Sequence, residues 1–135
     1  MEPFSMPARR AVARAQEVAH LFGSPFVGAE HMAFALGEGD DDVGHLLAKA
    51  LDREAIRERL GAVAGAPVED MAFSGGAKRS IAGAFEHARR LGQHAIEPAH
   101  LALGVLDDAD RPRLLPAADP EQLREALERV ACSTP

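Results

Sequence analysis

The sequence predicts an all-α protein: two pseudo-symmetric four-helix repeats packed into one compact eight-helix domain. Two observations carry this. The stretch FSMPARRAV (Phe4–Val12) returns as FSGGAKRSI (Phe73–Ile81), 69 residues later, with Phe, Ser, Ala and a basic pair in the same places. In both copies the apolar residues fall at helical spacing. Ala8, Val12, Ala15, Ala19 and Phe22 make a 4-3-4-3 stripe, and Ala77, Ile81, Ala84, Ala88 and Leu91 repeat it. A chain of 135 residues, rich in Ala, Leu, Arg and Glu and lacking Trp and Tyr, suits a single helical core. Alternating apolar segments are too short to suggest a sheet.

The first helix of each repeat has its own punctuation. Ser5 and Ser74 precede the stripes as N-caps, because a hydroxyl there accepts from amides of the first turn. Pro7 sits in the first turn, where no amide partner is lost. Gly23 and Gly92 follow the stripes, where helices commonly stop. The second helices, AEHMAFALG and PAHLALGVL, align at His31 and His100 with Pro98 near a helix start; apolar nearly all round, they are expected to be short and buried. Acidic turns follow at Gly37–Asp42 and Asp107–Asp110. A third helix is expected over Val43–Leu51; its counterpart at Leu114–Ala118, between Pro112 and Pro116, is expected to be only a turn. The last helices are placed at Asp52–Val63 and Asp119–Cys132. The second opens with an acidic N-cap, Pro120 at N1 and Gln122 at N3. The expected organisation is repeat 1 over about 4–64, a linker over 65–72 and repeat 2 over about 73–132.

The totals exclude several functions. A net charge of −6 opposes nucleic acid and anionic membranes as partners. A small helical DNA-binding regulator stands as an alternative, opposed by that charge and by the lack of a recognition helix. One cysteine, Cys132, forms no internal disulfide and fits a reducing cytoplasm; no signal peptide or long apolar segment is present. No cofactor or metal is expected. The histidines lack HExxH spacing, Cys132 lacks a CxxC companion, and the acidic turns lack the EF-hand pattern and read as solvated surface. GGAKRS lacks the Gly-Lys-Ser/Thr of a phosphate loop, so no ATPase is indicated, and no serine stands in a nucleophilic setting. The expected protein is not an enzyme. His31 and His100, at equivalent points of two repeats, are expected to share a structural task such as bonding a turn.

The order of AQE (Ala15–Glu17), LFGSPFVGAEH, an apolar helix and an acidic Gly-containing turn resembles the double Clp N-terminal repeat that precedes the ATPase modules of Clp-family unfoldases, the ClpC type above all. The resemblance covers Phe4 to about Ala131. It implies a module that docks adaptors and client proteins for a Clp unfoldase, and one that takes cyclic-peptide antibiotics beside the first helix and its pseudo-symmetric partner. In ClpC-type members it also implies a phosphorylated-arginine site in each repeat, with the Glu of G-T-E-H facing the guanidinium. Glu30 matches that Glu in the first repeat. Ala29 replaces the Thr, and Pro98 and Ala99 replace Thr and Glu in the second, so a family-type site is incomplete in one half and lacks its acid in the other. Phe4, Arg9 and Arg10, with Phe73 and Lys78, match the starts of the family repeats.

The residues taken singly admit plainer roles as well. Phe4 and Phe73 read equally as staples at helix entries or as exposed anchors. Glu30 reads as a carboxylate at a helix N-terminus or as a ligand contact. Arg9-Arg10 and Lys78-Arg79 read as solvent-facing charges or as phosphate contacts. A chain beginning at Met1 without an ATPase module is expected to act in trans: presenting clients, competing for adaptors, or sequestering compounds.

Overall fold

A computed structural model describes residues 4–21, 23–24, 26–50, 72–107 and 119–133. Six helices and two short strands occur among them: α1 (Met6–Leu21), β1 (Phe26–Val27), α2 (Ala29–Gly37), α3 (Asp42–Ala50), β2 (Ala72–Phe73), α4 (Gly75–Arg90), α5 (Pro98–Leu106) and α6 (Pro120–Ser133). The all-α class holds. The helix expected at Asp52–Val63, the turn at Leu114–Ala118 and most of the linker lie outside the described residues, and the count of eight helices with them.

Local chemistry starts and stops α1 and α4 alike. The Ser5 hydroxyl accepts from the Ala8 amide at 3.2 Å, and Ser74 accepts from Ala77 at 3.1 Å. Gly23 (φ 67°) and Gly92 (φ 70°) enter the left-handed region that other residues avoid. Just beyond them the Ser24 amide reaches back to the Ala19 carbonyl, and the Gln93 amide to the Ala88 carbonyl; both bonds are 2.8 Å. The inner bonds, Gly23 to His20 and Gly92 to Arg89, complete the paired pattern of a Schellman stop. Asp119 caps α6 by accepting from the amides of Glu121 and Gln122, as its sequence predicts.

The strands interlock the two halves. β1 pairs in parallel with β2, Val27 opposite Phe73, and the Ser74 amide donates to the Val27 carbonyl at 2.7 Å. At the pseudo-symmetric position Phe4 bridges Ile96 in parallel, and the Ser5 amide donates to Ile96 at 2.9 Å. Each repeat's entry segment thus pairs with the other repeat's second loop, the reciprocal contact of a two-fold arrangement. Residue periodicity gives no signal for such two-residue strands, and Ala72, expected in the linker, is paired in one of them.

α2 and α5 form the centre of the core. Every residue of α5 is buried, as is every residue of α2 except Glu30. α5 packs against α4, α6, α2, α1 and α3, and α2 against α1, α3, α5 and α4. Leu101, Leu103 and Leu106 are fully buried, each worth roughly 1.5–3 kcal/mol of transfer free energy. The outer helices bury one stripe each: Ala8, Ala15 and Ala19 on α1, Ala77, Ala84 and Ala88 on α4, and Leu123 and Leu127 on α6. Val12, Ile81 and Leu91 are only partly covered, while Val18 joins the core from outside the predicted stripe.

Candidate functional site

The aromatic residue that opens the chain's first repeat meets the other repeat's first helix. The Phe4 ring lies edge-on to Phe85 of α4, with centroids 5.7 Å apart and an angle of 82°. Phe4 packs against the core while Phe85 is 42% exposed, so the pair is half open to solvent. Met6, 57% exposed, follows on α1. Lys78 is exposed on α4 and Arg9 on α1. Phe73 occupies the equivalent of Phe4 and is partly buried against the core beside Val27. There Gln16 stands where α4 has Phe85, so the ring pair forms on one side only. The Phe4–Ile96 bridge fixes the entry to α1 through the backbone, and the Phe4 ring lies against the exposed Phe85. Sequence reasoning missed Phe85; aligning it with Gln16 was the available signal.

The six predicted residues do not form one cluster. Arg10, exposed on α1, instead lines a groove of about 710 Å³ between α1, the α2–α3 turn and the start of α5. Glu30 is half-buried in the first turn of α2, with its carboxylate folded over the Gly28 backbone where a side chain on residue 28 would overlap it. The second repeat inverts this arrangement. Ala99 lacks the carboxylate, but Glu97 stands at the position of Gly28, as the N-cap of α5. The acid has moved by two residues along the chain.

His31 and His100 are wholly buried and perform the shared structural task. The Gly28 amide donates to His31 Nδ1 at 2.7 Å, and the Glu97 amide to His100 Nδ1 at 2.8 Å. With Nδ1 accepting, the proton of each neutral ring sits on Nε2. In the second repeat Nε2 donates to Gln93 Oε1 at 2.5 Å, and Gln93 Nε2 donates to the Ala131 carbonyl at 2.6 Å, tying α5 to α6. His31 Nε2 finds no acceptor among the described residues; Ser24, at the position of Gln93, donates instead to the Phe26 carbonyl. Burial pushes both imidazoles below the ordinary histidine value, countered by Glu30 at His31 and reinforced by His87 at His100. Among the described residues no group of His, Cys, Asp or Glu is arranged to hold a metal, and no helix is long and apolar enough to cross a membrane.

Comparison with known proteins settles the family. No model of a known protein family matches the sequence. The chain is 34% identical over 143 residues to chaperone protein ClpD2, chloroplastic, of Oryza sativa subsp. japonica, and 31% identical over 140 residues to chaperone protein ClpC1, chloroplastic, of Arabidopsis thaliana. Each match covers 96% of this chain and 15% of the relative. The crystal structure of the N-terminal domain of the caseinolytic protease associated chaperone ClpD from Arabidopsis thaliana superposes with a TM-score of 0.76 at 25% identity, covering 97% of this chain and 96% of that one. The chain belongs to the Clp N-terminal domain family. The Hsp104 N-terminal domain from Candida albicans shares the fold of this Clp N-domain, with a TM-score of 0.81 at 16% identity over 98% of this chain and 94% of that one. The Clp N-domain described here spans about 15% of the length of the curated relatives it matches.

Proposed function

We propose that this Clp N-domain is a non-catalytic docking module, one double-repeat domain with repeats over about 4–64 and 73–132. It binds peptides, adaptors, phosphoarginine-like groups or cyclic-peptide ligands and acts in trans on Clp-dependent proteolysis in the cytoplasm. The half-open Phe4–Phe85 pair carries the reading. An aromatic ring braced by a second ring and left partly wet supplies contact area with little conformational entropy to lose. Met6 and Arg9 are exposed on α1 and Lys78 on α4, and on this reading they offer apolar area and positive charge to an acidic or phosphorylated guest. Phe73 and Glu30 belong to the pseudo-symmetric half of the same reading, and Arg10 to its margin.

Calorimetry with a ClpC-binding cyclic peptide, phosphoarginine and a Clp adaptor tests this. Binding of at least one, weakened about tenfold or more by Phe85→Ala, is the expected result. Absence of binding by all three defeats the proposal. A second reading has equal support: the same module acting in cis as the N-terminal portion of a longer Clp ATPase. The 15% coverage of the ClpD2 and ClpC1 relatives favours it. The transcript's reading frame after Pro135 separates the two.

A further inference from the structure

The difference between the two repeats leaves one hydrogen-bonding group of the core over. His31 and Ser24 are both buried, at 0% and 1% exposure, and the His31 Nε2–H has no acceptor among the described residues. Its twin, His100, is wholly buried as well but is capped by Gln93 Oε1. A buried donor without an acceptor carries its whole desolvation penalty, because nothing replaces the water it left.

The backbone around the two rings coincides, so the difference lies in one side chain. Gly23 and Gly92 turn at φ 67° and 70°. The amides that follow, of Ser24 and Gln93, return to the Ala19 and Ala88 carbonyls at the same 2.8 Å. Each imidazole accepts on Nδ1 from the amide at the start of its own helix, at 2.7 Å from Gly28 and 2.8 Å from Glu97. The same turn and the same helix start thus flank both rings, with residues 24 and 93 in register.

From that register glutamine reaches the ring and serine does not. The chain from Cβ to Oε1 of Gln93 has two more bonds than the chain from Cβ to Oγ of Ser24. Added to a direct hydrogen bond, those two bonds put Ser24 Oγ about 4–5 Å from Nε2, the span one water covers with two hydrogen bonds of about 2.8 Å. The serine hydroxyl donates to the Phe26 carbonyl at 2.7 Å, and the Phe26 amide meets its oxygen at only 3.4 Å. A hydroxyl oxygen has two lone pairs, so one is left to accept a further bond.

We propose that the first repeat holds one buried structural water between His31 Nε2 and Ser24 Oγ, in the place that the Gln93 carboxamide fills in the second repeat. The water accepts from the ring and donates to the serine oxygen. Two polar partners are enough for a buried water, whereas cavities that stay dry are lined by apolar groups alone. An anion does not suit the site, because the Glu30 carboxylate acts on the same ring. No metal suits it either, since the described residues gather no set of metal ligands there. The bridge completes a line from the Phe26 carbonyl through Ser24 and His31 to the Gly28 amide. An exchangeable molecule therefore secures the turn between α1 and α2, while a side chain secures the turn between α4 and α5.

The test reads the imidazole Nε2–H protons of the 15N-labelled full chain in water-selective NOE and ROE spectra. His31 is expected to show a cross peak at the water frequency whose sign inverts between the two spectra, the mark of a water that tumbles with the protein. His100 is expected to show none. Ser24→Gln is expected to abolish the His31 peak and to raise Tm by about 2–5 °C, because a tethered carboxamide needs no immobilised water. A His31 Nε2–H without a water peak, with a peak of exchange sign only, or lost to exchange with bulk solvent would overturn the proposal. So would a folded Ser24→Gln protein that keeps the peak or melts below wild type. Should that variant fail to fold, the wild-type spectra decide alone.

Discussion

Replacing Gly104 with alanine probes a close contact between α4 and α5. A methyl group on residue 104 would overlap the Ser80 carbonyl oxygen and lie 2.9 Å from its carbon and 3.2 Å from the Ala84 nitrogen. Carbon atoms pack comfortably at about 3.5–4.0 Å. All three obstacles are α4 backbone, so no side chain can rotate aside and the helices must separate. Separation strips packing from Leu101, Leu103 and Val105, all fully buried on α5. Overpacking costs about 1–3 kcal/mol and sometimes more, while alanine for glycine in a helix returns about 1 kcal/mol. A rigid backbone obstacle puts the cost at the upper end, leaving a net loss of about 2 kcal/mol. For a chain of this size that lowers Tm by roughly 5–10 °C. Gly83→Ala supplies the control, because its methyl group would meet only the Gly104 Cα at 3.3 Å; its effect is expected within about 1 kcal/mol of zero. Urea unfolding and thermal melts of the three proteins measure this. Gly104→Ala as stable as wild type, or Gly83→Ala the more damaging, would refute the account of the crossing.

Other outcomes follow from the same geometry. Gln93→Ala removes the acceptor for His100 Nε2 and the donor to the Ala131 carbonyl, stranding two buried polar groups, and is expected to cost about 2–4 kcal/mol in urea unfolding. Ser74→Ala deletes the α4 cap and is expected to cost about 1 kcal/mol, with Ser5→Ala similar. His31 and His100 have folded-state values lowered by burial, so the fold favours their neutral forms. Their contribution is complete above the unfolded value near 6.5 and is lost as pH falls from there toward the depressed folded values, at up to about 1.4 kcal/mol per pH unit for each ring. Urea midpoints at pH 7.5, 6.5 and 5.5 check the sign, and His100→Asn is expected to flatten the decline.

The candidate surface was partly legible before the structure. Phe4 announced itself through the repeat, the register of that repeat located Phe73 and the two histidines, and the resemblance to the Clp repeat pointed to Glu30. Phe85 and Glu97 went unread because each departs from its partner position, Gln16 and Gly28, and a repeat is recognised by what it conserves between halves. The groove was illegible for a related reason: a concavity is the space between elements, and nothing in one helix's periodicity says how closely the next will approach.

Sequence by itself determined the helical class, the caps at Ser5, Ser74 and Asp119, the glycine stops and the burial of α2 and α5, since each depends on chemistry within a few residues. Tertiary structure decided the reciprocal pairing of Phe4 with Ile96 and Phe73 with Val27, the half-open ring pair, and the channel beside Arg14. Those arise where segments distant along the chain meet, and the side chains at each crossing set how closely the helices approach.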